Sequence, residues 1–272
     1  MSACVPWLTL QVQKNEAGAC VPQRGIMVRA VQRRDNGKGK REGMIDLHYA
    51  PTPNGWKISI MLEELGLPYK VIPVDIRAGD QFKPEFLAIA PNNRMPAIVD
   101  PQGPDGQPIS VFESGAILQY LGRKTGQFYP AEERARAAVD EWLFWQMGGF
   151  GPMLGQTHHF RLYAPEKVPY AIDRYTNETN RLYSVLNRRL EGRDYICDAY
   201  SLADMACIGW ARGWEKQGQD IAQFPNVGRW IETMMAHPAV ARGLKVGEEL
   251  RTAPAGIHTA EEKAILFGQK AR

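Results

Sequence analysis
The stretch Ala50-Pro51-Thr52-Pro53-Asn54-Gly55 places a hydroxyl, an amide and two prolines where a strand pattern gives way to a helix pattern. Threonine is a natural N-cap, and proline suits the first helical position because its missing N–H would be unpaired there anyway. The free N–H groups and the positive end of the helix dipole then face whatever sits over Thr52 and Asn54. That favours an anion such as a thiolate. The plain alternative is an ordinary capped helix start.

Two more stretches have the same character. Met95-Pro96 precedes a short apolar strand, where a proline cannot donate to a ladder and so marks the first residue, with a cis bond possible. Glu113-Ser114-Gly115 ends another strand and opens a helix, with Ser114 read as its N-cap and the helix end as a second anion site. Capping alone is again the plain alternative. His158-His159 is adjacent rather than spaced for one ligand, so it reads as local structure or the mouth of a cleft, not a metal pair. Cys4, Cys20, Cys197 and Cys207 show no metal-ligand or Cys-x-x-Cys spacing. They read as free thiols, Cys207 as a small core residue.

The elements that position these residues follow from periodicity. Alternation over 45–49 predicts a strand, and Ile58, Met61, Leu62 and Leu65 at i, i+3, i+4, i+7 predict a helix over 55–65, closed by Gly66 and Pro68. Strands are expected at 69–74, 97–99 and 109–112, a short helix near Pro84 to Leu87, and a helix over 114–124 with Ile117, Tyr120 and Leu121 inward. The Pro, Gly and Asp-rich turn from Asp100 to Gln107 reads as a hairpin loop. After a linker at 126–130 the chain reads as helices alone. Trp142, Phe144 and Trp145 lie in a core and interface stripe, and the four glycines of 148–155 are expected to break or kink that helix. A long stripe from Ile172 to Leu190 leaves Arg174 and Arg181 on another face. Ser201 and Asp204 form a capping box, a folding signal, with Tyr200 and Met205 as its hydrophobic staple.

The expected organisation is a flexible basic extension over 1–43, an α/β domain over 44–126, an all-helical domain over 131–248 and a polar tail over 249–272. The extension holds eight Lys or Arg against three Asp or Glu, and 33–43 is nearly all charge and glycine. Such a segment buries too little to offset its ordering entropy. An arm docking on a second subunit through Trp7 and Leu8 is the alternative, and Met44 begins the patterned part. With 272 residues, 44% apolar, the chain can bury a sizeable core, and its net charge of +3 points to no nucleic-acid partner. No long apolar run or leader pattern stands out, so the expectation is a cytoplasmic protein without a membrane partner.

A βαβ-then-ββα domain followed by helices resembles the glutathione transferase fold, a thioredoxin-like domain plus a helical one. Met95-Pro96, Glu113-Ser114 and the Ser201 box carry that resemblance. Thr52-Pro53-Asn54-Gly55, Gly79-Asp80-Gln81-Phe82, Pro91-Asn92-Asn93, Phe112 to Ile117, Trp142 to Gln146, Gly151 to Gln156 with His158-His159-Phe160, and Tyr170 to Tyr175 resemble the bacterial nu class of that family. The likeness spans about 44–248.

The resemblance implies glutathione as cosubstrate, two molecules per site, and no metal. Met95 would pair its backbone with the peptide of glutathione ahead of a cis-Pro96. Glu113 and Ser114 would hold the γ-glutamyl amine and carboxylate, with Gln81 and Arg94 flanking the tripeptide. Thr52 and Asn54 would lie beside the sulfur, and Arg174 would face a second glutathione. Where glutaredoxin-like proteins carry Cys-Pro-x-Cys this chain has Thr52-Pro53-Asn54-Gly55, so both sulfurs of a redox cycle would come from bound glutathiones. The expected activity is a glutathione-dependent disulfide-bond reductase, in a homodimer. One rival is a lyase or transferase acting on thioether conjugates of aromatic compounds, with Tyr163, Tyr170, Trp210 or Trp214 near its substrate. Conventional conjugation to electrophiles is weaker, since no Tyr, Ser or Cys occupies the usual activating position. The other rival is a non-catalytic glutathione-binding regulatory module, as in a fungal nitrogen regulator of similar pattern.

Overall fold
The computed structural model describes residues 43–250 and 259–268, all within one compact unit spanning 40–272. The extension before Gly43, with Trp7, Leu8, Cys4 and Cys20, lies outside the described residues. Strand β1 (Ile45–Tyr49) buries Ile45, Leu47 and Tyr49 and leaves Asp46 and His48 half-buried, the alternation expected of it. Helix α1 (Pro53–Leu65) returns the chain to β2 (Tyr69–Pro73), which pairs parallel to β1. A short helix α2 (Pro84–Leu87) leads to β3 (Ala97–Asp100), and a hairpin leads on to β4 (Ile109–Phe112). The sheet order is β2-β1-β3-β4, with β3 antiparallel to both neighbours. Helix α3 (Ser114–Thr125) closes this half.

The second half is helical: α4 (Glu133–Trp145), α5 (Gly151–His158), α6 (Pro169–Arg189), α7 (Leu202–Ala211), α8 (Pro225–Ala236) and α9 (Pro238–Lys245). The glycines of 148–155 do not break the chain's helical path. A π turn over Gln146–Phe150 links α4 to α5, and a second over His159–Tyr163 extends α5. Glycine lowers helix stability by only about 1 kcal/mol relative to alanine, and the buried Phe150 and Leu154 outweigh it. The stripe on α6 is inward at Thr179, Leu182, Tyr183 and Leu186, with Arg174 and Arg181 exposed. The capping box at Ser201 forms, and its Asp204 carboxylate also accepts from Ile196 N–H and Trp230 Nε1–H, each at 2.9 Å.

Helix α1 is the shared core element, because it packs on α3, α7 and α9. Every residue from Gly55 to Leu62 is buried, which makes α1 covered all round rather than amphipathic. Gly243 on α9 would place a Cβ 2.6 Å from the Ile60 Cα, so only the missing side chain permits that approach. The expected polar tail departs from the sequence reading. It holds a helix, α10 (Ala260–Phe267), capped by a Thr259–Glu262 box. Phe267 sits 5.0 Å from the His159 ring, and Glu262 meets Arg77 at 3.8 Å. Overall polarity masked the apolar Ile265-Leu266-Phe267 that gives this helix a surface to bury. Among the described residues no helix is long and apolar enough to cross a membrane.

Candidate functional site
Thr52 adopts the extended conformation of an N-cap, and its Oγ accepts the Gly55 N–H at 3.3 Å. The cap leaves the hydroxyl proton to donate elsewhere, and in the structure it is directed at the Met95 Sδ. The Met95 Sδ stands 3.9 Å from that Oγ and accepts the Ala50 N–H at 3.1 Å. The end of β1 is thus tied to Met95, two residues before β3, where the Met95-Pro96 bond is cis. Gly55 is required by the tightness of this turn, since a Cβ there would lie 2.3 Å from the Ala50 carbonyl oxygen. Asn54 is held from the helical half, its Oδ1 accepting from Trp210 Nε1–H at 3.1 Å.

The second anion site differs from its sequence reading. Ser114 is not the N-cap but the first residue of α3, and Glu113 occupies the cap position at φ 67°, ψ 117°. This backbone region costs a non-glycine residue about 1–3 kcal/mol, and such strain tends to collect at functional sites. The Glu113 carboxylate accepts from Asn92 Nδ2 at 3.1 Å. The Ser114 hydroxyl faces inward instead of capping, accepting from Lys57 Nζ at 3.3 Å. Lys57 also donates to Gln146 Oε1 at 2.8 Å and approaches Met147 Sδ at 3.6 Å. Its three N–H groups thus have three acceptors, although the side chain is only 2% exposed. Burial pushes its amine down to about 7, against the opposing pull of Cys207 and Glu113.

The structure brings Thr52, Asn54, Met95 and Pro96 into one neighbourhood, and Glu113 with Ser114 into another at the start of α3. Gln81 is buried near the α2 turn, where its Nε2 donates to the Ile76 carbonyl at 3.1 Å and its Oε1 has no protein partner. Arg94 is exposed beside Met95. Arg174 is exposed on α6; Arg181, with Arg174 adding to it, holds the Glu178 carboxyl of that helix low. Arg174 and the Thr52 group stand on different elements, α6 and the start of α1. His158 lies 5.8 Å from the Trp210 ring and His159 faces Phe267 instead, so the pair diverges. Among the described residues no group of three or more His, Cys, Asp or Glu could hold a metal. Cys197 and Cys207 are both buried in the helical half.

Sequence reasoning missed Lys57, Gln146, Met147 and the Asn54–Trp210 bond. A lysine inside an apolar helical window was the one available signal. The 156 residues between Asn54 and Trp210 leave no local pattern to find. A cleft of about 230 Å³ also opens between α3 and α4, lined by Glu113, Gly115, Ala116, Leu143, Phe144 and Met147.

Comparison with known proteins agrees with this architecture. Residues 52–124 match the N-terminal domain model of glutathione S-transferases, and residues 151–238 match the C-terminal domain model. The disulfide-bond oxidoreductase YfcG of Escherichia coli is 54% identical over 211 residues, covering 76% of this chain and 98% of its own. A Pseudomonas putida glutathione transferase, solved with one glutathione disulfide bound per subunit, superposes with a TM-score of 0.73. Its identity is 43%, over 76% of this chain and 94% of its own. A Burkholderia graminis glutathione transferase, solved with two glutathione molecules per subunit, gives a TM-score of 0.71 at 46% identity, over 74% and 88%. With both domain models matched in order on a thioredoxin-like sheet and a helical half, the chain belongs to the glutathione S-transferase family.

Proposed function
We propose that the protein is a glutathione-dependent disulfide-bond reductase of the nu-class type that draws both reacting sulfurs from two bound glutathiones. The observation that carries this reading is the start of α1. It offers the Thr52 hydroxyl, the Asn54 side-chain amide and the positive end of a helix where a thiol protein would hold cysteine, and the α/β half contains no cysteine. YfcG, a disulfide-bond oxidoreductase by name, and the transferases solved with glutathione disulfide or with two glutathiones support the same chemistry.

In the mechanism, one glutathione thiolate attacks a sulfur of the substrate disulfide. The S–S bond breaks, one substrate thiolate leaves, and a mixed disulfide with glutathione forms. The second thiolate attacks the glutathione sulfur of that mixed disulfide and expels the other substrate thiolate. Two glutathiones are thereby oxidised to glutathione disulfide and one disulfide is reduced to two thiols. Thr52 donates its hydroxyl proton to the first sulfur, and the Asn54 amide and α1 dipole add to that field. Each unit by which they lower the thiol pKa stabilises the thiolate by about 1.4 kcal/mol. Met95 pairs its backbone with the peptide of glutathione, its geometry set by Pro96. Glu113 takes the γ-glutamyl ammonium and Ser114 the carboxylate, with Gln81 and Arg94 flanking the tripeptide and Arg174 serving the second glutathione. A reducing, cytoplasmic setting suits this thiol consumption. A second copy of the chain is the expected partner, with the α3–α4 cleft and the 64%-exposed Phe144 as an apolar surface for it.

The test is a coupled assay of glutathione disulfide formation from a small hydroxyalkyl disulfide, run beside a glutathione thioether of an aromatic ketone. Turnover of the disulfide is expected, and Thr52→Ala with Asn54→Ala should abolish it with folding intact. Preference for the thioether would move the function to the lyase class, and undiminished activity in the double variant would remove these residues from the mechanism.

A further inference from the structure
The Asn54–Trp210 bond decides something that neither residue decides alone. A side-chain amide can present either its oxygen or its NH₂ in nearly the same shape, and the two have opposite effects on a neighbouring thiolate. An indole N–H only donates. The atom it meets at 3.1 Å must therefore be the Asn54 oxygen, which leaves the NH₂ as the face not engaged by Trp210.

The surroundings hold the indole in place for this contact. Gly155 would place a Cβ 3.2 Å from Trp210 Cη2, so its missing side chain opens a slot for the ring, while Gly151 makes room for the Gln146 amide, 2.6 Å from a Cβ there. The Trp210 carbonyl accepts from Gln217 Nε2 at 2.9 Å and from Gly213 N–H at 3.1 Å, which fixes the end of α7. One residue earlier, Gly209 would set a Cβ 2.8 Å from the Pro53 carbonyl oxygen, so α7 rests on the first residue of α1 at backbone distance. Both partners of the bond are thus anchored by close packing of the two helices that carry them.

We infer that Trp210 is a positioning residue for the thiol chemistry, locking the Asn54 amide so that its N–H donors, and not its oxygen, serve the glutathione sulfur. The inference rests on the proposed placement of that sulfur over Thr52 and Asn54. It assigns Gly155 of α5 a function that its helix-breaking character did not suggest. Trp210 is thereby a support for Asn54, distinct from the substrate-contacting aromatic that the thioether reading requires.

The experiment compares pH profiles of kcat/KM for the disulfide, at saturating glutathione, in the full chain and in Trp210→Phe, Asn54→Ala and the double variant. Phenylalanine keeps a ring in the slot and removes the N–H. Trp210→Phe should move the acid limb of the profile up by about one pH unit, a tenfold loss on that limb. Asn54→Ala should shift it at least as far, and the double variant should lose no more than Asn54→Ala alone. Gly155→Ala, which displaces the indole without removing either partner, should shift the limb in the same direction. It supplies the reading if Trp210→Phe does not fold. An unshifted limb in whichever of these two variants folds, beside a shifted one in Asn54→Ala, overturns the positioning role alone. An unshifted limb in Asn54→Ala itself overturns the sulfur placement and the inference with it.

Discussion

Replacing Lys57 by methionine should change how the stability of this protein depends on pH more than it changes stability itself. The amine is 2% exposed and burial lowers it from 10.5 to about 7. Between pH 7 and 10.5 the native chain has released a proton that the unfolded chain still binds. Stability therefore rises with pH across that window and is lowest below pH 7, where both states are protonated and the full cost of burying the charge is borne. The fall from 10.5 to about 7 corresponds to about 5 kcal/mol in total, or about 1.4 kcal/mol per pH unit. Methionine removes this cost, but it leaves Gln146 Oε1 and Ser114 Oγ without their donor, at about 1–3 kcal/mol for each buried acceptor. The two effects are comparable near pH 6, so the variant should match or exceed the parent there. By pH 9 it should fall behind, the difference between the two having moved by about 3 kcal/mol. Urea titrations at pH 6, 7, 8 and 9, at one protein concentration, measure this directly. A parent-minus-variant difference that stays flat over that range refutes the reasoning, because it means that the three acceptors keep the ammonium charged throughout.

Substitutions at Gly209, Gly243 and Asp204 probe how the helical half supports the site and the core. Gly209→Ala drives a Cβ to within 2.8 Å of the Pro53 carbonyl, which as backbone cannot swing aside, and should cost about 1–3 kcal/mol. Gly243→Ala, equally close to Ile60 farther along α1, should lower the melting temperature comparably yet spare disulfide reduction per folded molecule. Asp204→Ala strands the N–H groups of Ile196, Ser201 and Trp230 in the core at about 1–3 kcal/mol each, so little folded protein should accumulate on expression. Asp204→Asn keeps one acceptor oxygen and should give an intermediate yield and melting temperature.

The legible parts of the fold were those whose cause is local. Alternation in 45–49 and the Thr52-Pro53 cap determine a strand and a helix start through neighbours only a few residues away, and both stand where expected. The Ser201 box is local in the same sense. Ser114 failed as a cap because a competing contact wins: the Lys57 amine takes its hydroxyl, and Glu113 adopts the cap position in a left-handed conformation. That amine comes from 57 residues away, so no window around Ser114 contains it. Lys57 itself was hidden by periodicity. It flanks the stripe formed by Ile58, Met61, Leu62 and Leu65, on the side a two-layer picture gives to solvent, whereas α7 and α9 also pack on α1. The glycines of 148–155 were read as a break or kink in the helix, and a π segment does interrupt the α pattern there. Gly151 and Gly155 also give up their side chains to Gln146 and Trp210, a requirement set by packing rather than by backbone.

A site without its own thiol faces a harder positioning problem than one with a cysteine. A cysteine is tethered, so the protein has only to set its pKa. A glutathione sulfur must also be held in line for attack, and the contacts that hold it lie at the other end of the tripeptide. On the proposed reading, that explains why the polar groups fall into two clusters. Glu113, Ser114 and the buried Lys57 form a charged anchor at the start of α3, while Thr52 and Asn54 form a small field of donors at the start of α1. Both clusters lean on the helical half, one through Gln146 and the other through Trp210. The helical half thereby supplies what the missing cysteine would have made unnecessary: a fixed frame in which a diffusible nucleophile has one orientation. Binding energy from the γ-glutamyl end is then spent on aligning the sulfur rather than on affinity alone, which is how a remote contact raises turnover.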